Sequence, residues 1–102
     1  MSSRIPALES ALRKRPGDPF LLYALGVEHM NDGVLEKARS YFEQVREQHP
    51  NYVPLYFQYG NLLERSELAT EARRMYEQGI RVATGASDHH AAAELEAALA
   101  AM

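Results

Sequence analysis

Apolar residues recur at helical intervals along nearly the whole chain, and the breaks between these stretches fall at proline, glycine and asparagine. Ile5, Leu8 and Leu12, with Ala11 beside them, mark one side of a helix over 4–15 whose basic last turn, Arg13-Lys14-Arg15, suits a carboxyl end. Pro16-Gly17 ends it. Leu22, Leu25-Gly26 and His29 predict a second helix from Pro19 to about Met30, with Asp18 placed to cap it and Pro19 at the first helical position, where a missing N–H costs nothing. Asn31-Asp32-Gly33 supplies a turn, its glycine free to take positive φ, and Leu35, Ala38, Phe42 and Val45 predict a third helix ending near Gln48. His49-Pro50-Asn51 breaks the chain again.

The same pattern then returns. Tyr56, Tyr59-Gly60, Leu63, Ala72 and Tyr76 stand 34 residues after Leu22, Leu25-Gly26, His29, Ala38 and Phe42, and a period of that length means a helix pair repeated. The second copy begins around Tyr52 to Pro54, and its first helix reaches Arg65. Ser66 is expected to cap the next helix, whose inner face is Ala69, Ala72, Tyr76 and Gly79 and which Gly85 is expected to stop. Gly79 aligns with Val45, and a glycine inside a helix marks a close approach between neighbours. Ser87-Asp88 opens a last helix over Ala91 to Met102, with Leu95, Leu99 and Met102 on its apolar side. Where a third full copy would place its core stand His90, Ala93, Glu94 and Ala97, so this helix is expected to dock as a lid in its own register. The opening helix aligns with the second helix of a pair and is expected to cover the other end.

A length of 102 residues then reads as one domain, 1–102, divided into an N-terminal helix at 4–15, copies at 19–52 and 53–86, and a closing helix at 87–102. The apolar share of 46% is ordinary, no apolar run approaches a membrane span, and Met1-Ser2-Ser3-Arg4 leads into no secretory core. A cytoplasmic location is expected. Without cysteine there is no disulfide framework or thiolate site. A net charge of −3 with both signs interspersed offers no basic stripe for a phosphate backbone, so neither nucleic acid nor membrane is an expected partner.

Leu22-x2-Leu25-Gly26-x2-His29, then Ala38-x3-Phe42 and Pro50, resembles the tetratricopeptide repeat, with its W-x2-L-G-x2-Y, A-x3-F and P pattern. The second copy resembles it too, except that Thr84 stands in the place of the proline. The resemblance implies an all-α, right-handed α-solenoid of two such hairpins flanked by one capping helix at each end. Small residues Gly26, Ala38, Gly60 and Ala72 would let paired helices approach while Leu22, Phe42, Tyr56 and Tyr76 fill the space beside them. It also implies a protein-protein interaction module that needs no cofactor and holds a peptide in a trough lined by the first helix of each repeat. Residues turned from the core stripe toward that trough are Phe20, Tyr23, Val27 and Met30 in the first copy and Phe57, Asn61 and Glu64 in the second. A second reading stands beside it, in which Tyr23 and Phe57 pack only on each other and on the closing helix. Members that grip acidic tails carry lysine, asparagine and further basic residues at the trough. The matching positions here hold Tyr23, Val27, Asp88 and Ala92, with Gln58 near the middle asparagine, so that activity is not carried over.

Other chemistry finds little to stand on. His89 and His90 are neighbours on a helix and point apart, and His29 belongs to the core stripe, so no metal site is expected; His29 reads as a hydrogen-bonded core ring and His49 as a turn residue. No phosphate loop, cysteine nucleophile or serine-histidine-acid motif is present, so no enzyme is expected. Arg39 with Glu43 and Arg73 with Glu77 recur in both copies at the spacing of surface ion pairs. The alternative to a binding module is a self-assembling scaffold, because a short stack leaves its end faces open and could form a homo-oligomer.

Overall fold

The computed structural model describes residues 4–102; Met1–Ser3, on which the expected absence of a leader partly rests, lie outside them. Six helices and no strand are present among the described residues: α1 (Ile5–Lys14), α2 (Pro19–Asn31), α3 (Leu35–Gln48), α4 (Pro54–Arg65), α5 (Ala69–Gly85) and α6 (His89–Ala100). The chain divides into two compact units, Met1–His49 and Pro50–Met102.

In the first unit, α2 begins where Asp18 Oδ1 accepts the Leu21 N–H at 3.0 Å, with Pro19 in the opening turn. α2 is buried on several sides at once, through Leu21, Leu22, Ala24, Leu25, Gly26, His29 and Met30, because α3 packs on one flank and α1 on another. Its core partner is the Phe42 ring of α3, fully buried, which occupies the notch left by Gly26. Two polar contacts hold the edges. Arg4 Nη1 meets Glu28 Oε1 at 3.2 Å, joining the residue before α1 to α2. His49 Nε2 lies 2.7 Å from the Gly17 carbonyl, and since a carbonyl only accepts, that nitrogen carries the proton and ties the end of α3 to the α1–α2 turn. His49 is therefore a clasp as well as a turn residue.

The second unit repeats the design. Tyr76 of α5 is fully buried and fills the notch at Gly60 of α4, and the Tyr56 hydroxyl donates to the Pro50 carbonyl. α6, capped by Asp88 Oδ1 on the Ala91 N–H at 3.0 Å, packs mainly on α5 and also touches α4. Gly79 is where three helices meet. A Cβ there would press on Tyr56 and lie 3.0 Å from Leu95 Cδ1, which explains why the station of Val45 is a glycine in this copy. The buried residues of α6, Ala92 and Leu95, stand 36 residues after Tyr56 and Tyr59, so α6 keeps a register of its own. Met102 is exposed, and Ala69 is exposed while Met75 joins the inner face of α5.

Three turns share one geometry. In each, a residue at positive φ is followed by an N–H that reaches back five residues: Gly33 (φ 79) with Val34 to His29 at 2.9 Å, Glu67 (φ 61) with Leu68 to Leu63 at 2.9 Å, and Ser87 (φ 58) with Asp88 to Ala83 at 2.8 Å. Two expectations change here. Ser66 closes α4, its hydroxyl donating to the Leu62 carbonyl at 2.9 Å, and Leu68 stands before α5 without a side-chain cap. Gly85 is the last residue of α5, and Ser87 takes the left-handed conformation. Left-handed backbone costs a side-chain-bearing residue about 1–2 kcal/mol, partly offset by the greater entropy glycine loses on folding. Glu67→Gly and Ser87→Gly are each expected to raise stability by about 0.5–1 kcal/mol in thermal denaturation.

Glu43 Oε1 takes Arg46 Nη1 at 3.0 Å, three residues on, and of the two expected ion pairs Arg73 and Glu77 form none. His29 is buried, and it meets the Tyr41 ring face to face, with centroids 5.6 Å apart and planes at 7°.

Candidate functional site

The outward row of α2 begins with Phe20, 54% exposed, and continues through Tyr23 and Val27, both half-buried. Met30, the fourth residue expected on this row, is 5% exposed and belongs to the core. Tyr23 is held from below: its ring lies 6.2 Å from that of Phe42, tilted by 36°. An aromatic supported on one edge and open on the other is a ready-made contact, since ordering it costs little further entropy. The row offers carbon and one phenol, and no charge.

The outward row of α4 differs in chemistry. Phe57 and Asn61 are half-buried and Glu64 is exposed. The hydroxyl of the buried Tyr76 reaches both polar groups, at 2.7 Å from Asn61 Oδ1 and 2.5 Å from Glu64 Oε2. A single hydroxyl proton cannot serve two acceptors. It goes to the shorter contact, the carboxylate, and Asn61 Oδ1 stands as the second acceptor within reach. Burial, then the hydrogen bond to Glu64 and its negative charge, push the Tyr76 phenol far above the ordinary tyrosine range. It stays a donor at neutral pH. In the first unit burial, followed by the charge of Glu9, likewise raises Tyr41.

Tyr76 was not among the residues expected at the site, yet it positions two that were. A signal for it lies in the repeat itself. The stations of Asn61, Glu64 and Tyr76 are held in the first copy by Val27, Met30 and Phe42, so three positions are apolar together in one copy and polar together in the other.

No group of three histidine, aspartate or glutamate side chains that could hold a metal occurs among the described residues. His90 Nε2 is 3.7 Å from Glu94 Oε1, both on the exposed side of α6. Asp88 is engaged in capping α6, its Oδ1 accepting the Ala91 N–H. No helix among the described residues is long and apolar enough to cross a membrane.

Two hairpins of one design, each locked by a ring in a glycine notch, define a helical-repeat protein. No family model and no curated protein matches the chain, but solved structures do. A tetratricopeptide repeat domain protein from Salinibacter ruber, in solution, is 37% identical over 82% of this chain and 85% of its own, with a TM-score of 0.78. A crystal structure of a tetratricopeptide repeat domain protein from the same organism gives 36% identity over 80% and 91%, with a TM-score of 0.76. A protein from Bordetella parapertussis, 21% identical over 97% of this chain and 86% of its own, shares the fold at a TM-score of 0.83. The chain belongs to the tetratricopeptide repeat family.

Proposed function

We propose that the protein is an interaction module that holds a peptide or protein segment on the outward rows of α2 and α4. One observation carries the reading. α2 buries nearly every side it has, yet it leaves Phe20 open and Tyr23 and Val27 half-open, an apolar strip that the unit does not fully cover. Phe57 plays the same part on α4. Family membership supports the same work, because tetratricopeptide repeats are generally used in protein-protein interaction. Binding of this kind needs neither catalysis nor a cofactor; it depends on rigid aromatic anchors and on the exclusion of water around them.

A photo-crosslinking residue at position 20, used in cell extract and read by mass spectrometry, tests the proposal. A discrete partner is expected, and its crosslinking should fall about tenfold or more in Tyr23→Ala and Phe57→Ala, typical of lost aromatic anchors, while helical circular dichroism is unchanged. Crosslinks indifferent to both substitutions would remove the proposal.

A further inference from the structure

We infer that the outward face of α4 carries a seat for a cationic side chain, arginine or lysine, of the bound segment, with Glu64 as its acceptor and the Tyr76 hydroxyl as the group that holds Glu64 in place. The inference rests on the peptide-binding reading and goes beyond it by giving the ligand a charge.

Glu64 is exposed, and its Oε2 accepts the Tyr76 hydroxyl at 2.5 Å. Its Oε1 has no partner among the described residues, and no arginine, lysine or histidine pairs with it there. A carboxylate fixed at one oxygen and open at the other is pre-organised for a donor from outside, and a cation is the donor it holds most strongly. Its place in the helix adds to this. Glu64 lies in the last turn of α4, where the helix dipole disfavours an acid and favours a positive charge. A local rule broken at a solvent-facing position is where function is to be looked for.

A purely structural account would have Glu64 serve only to satisfy the buried hydroxyl. Two observations oppose it. Asn61, at 2.7 Å, already suffices for a phenol with one proton. The first copy shows that the station needs no hydroxyl, since Phe42 fills the same notch with Val27 and Met30 above it. The second copy thus introduces a hydroxyl and a carboxylate together where the first has neither. Phe57, seven residues before Glu64 with Asn61 between them, stands on the same row and gives the aliphatic stem of an arginine or lysine an apolar wall.

The test uses the full chain and synthetic twelve-residue peptides with a leucine-phenylalanine core, through which one arginine is walked position by position, each with a citrulline twin of the same shape and no charge. Fluorescence anisotropy is expected to show, for at least one position, about three- to tenfold tighter binding of the arginine peptide, a ratio that shrinks as salt rises. Glu64→Gln should bring the ratio to about one, chiefly by weakening the arginine peptide. Tyr76→Phe, which keeps the ring in its notch, should lower the ratio without weakening the citrulline peptide, an effect that a merely structural hydroxyl would not have. Combined Asn61→Val, Glu64→Met and Tyr76→Phe, which writes the first copy's chemistry into the second, should abolish the preference. Equal affinities for twins that both bind would overturn the cationic seat and leave the peptide reading standing. Failure of every peptide to bind would overturn both. A wild-type mass that rises with concentration in sedimentation and stays monomeric in Glu64→Gln would place a second copy's cation in the seat, and would overturn the assignment to a foreign segment.

Discussion

Gly60→Ala is expected to lower the stability of the protein by about 2–4 kcal/mol, although alanine is the better helix former by about 1 kcal/mol. An added Cβ would lie 2.6 Å from Cδ1 and from Cζ of Tyr76. That ring is fully buried, and close-packed interiors leave little room to shift, so relief requires α4 and α5 to separate or the ring to leave its rotamer. Either response gives up packing along the hairpin. The helix-propensity gain is a local backbone effect and does not diminish the overlap. Chemical denaturation of the wild type and the variant reads the difference directly. A midpoint equal to or above that of the wild type would show that the notch is not tight. Coupling supplies a second reading: Gly60→Ala combined with Tyr76→Leu should cost less than the sum of the two single changes, because the smaller side chain no longer meets the methyl group.

Phe42→Ala is expected to cost about 3–5 kcal/mol, the largest loss anticipated for any single truncation in the first unit. The ring is fully buried, fills the notch at Gly26 and supports Tyr23 from beneath at 6.2 Å between centroids. Its removal takes away apolar burial and leaves a cavity walled by two helices whose glycine has no side chain to fill it. For a chain of this size such a loss is a large share of a total stability of about 5–15 kcal/mol. The denaturation midpoint should fall steeply, and Tyr23 should lose its support even where the helices persist. Phe42→Leu, which keeps most of the volume, should cost clearly less. If alanine and leucine were equally tolerated, the ring would not be the keystone of its hairpin.

Much of this arrangement can be read directly from the amino acids. Gly26 with Phe42 and Gly60 with Tyr76 recur at the same 34-residue offset, and both pairs are rings in notches in the folded chain. Asp18, Gly33 and Asp88 behave as their chemistry predicts. Ser66 and Gly85 do not, because these helix ends are set by backbone bonds that reach back five residues, and such bonds form around Glu67 and Ser87 as well as around Gly33. Spacing also overstates ion pairs: residues four apart on a helix can meet, but Arg73 and Glu77, free to extend into water, do not. At the candidate site, Phe20, Tyr23 and Phe57 are open or half-open, but Met30 is not, since α2 is packed from more than one side and periodicity within a helix cannot say how many neighbours it has. The role of Tyr76 was concealed for a related reason. The joint change of three stations is visible in the chain, but that one hydroxyl spans from α5 to both partners on α4 depends on distances that only folding supplies.

The three turns of one form also bear on how such a chain can diverge. Glycine, glutamate and serine all occupy the left-handed corner, so the corner does not dictate its residue; the notch and its ring determine how one helix is phased against the next. Connecting segments can then vary in charge and identity without a hairpin losing alignment, whereas a change at either glycine notch calls for a matching change in the aromatic opposite it. Drift in this lineage should therefore be uncorrelated at the corners and paired across the helices.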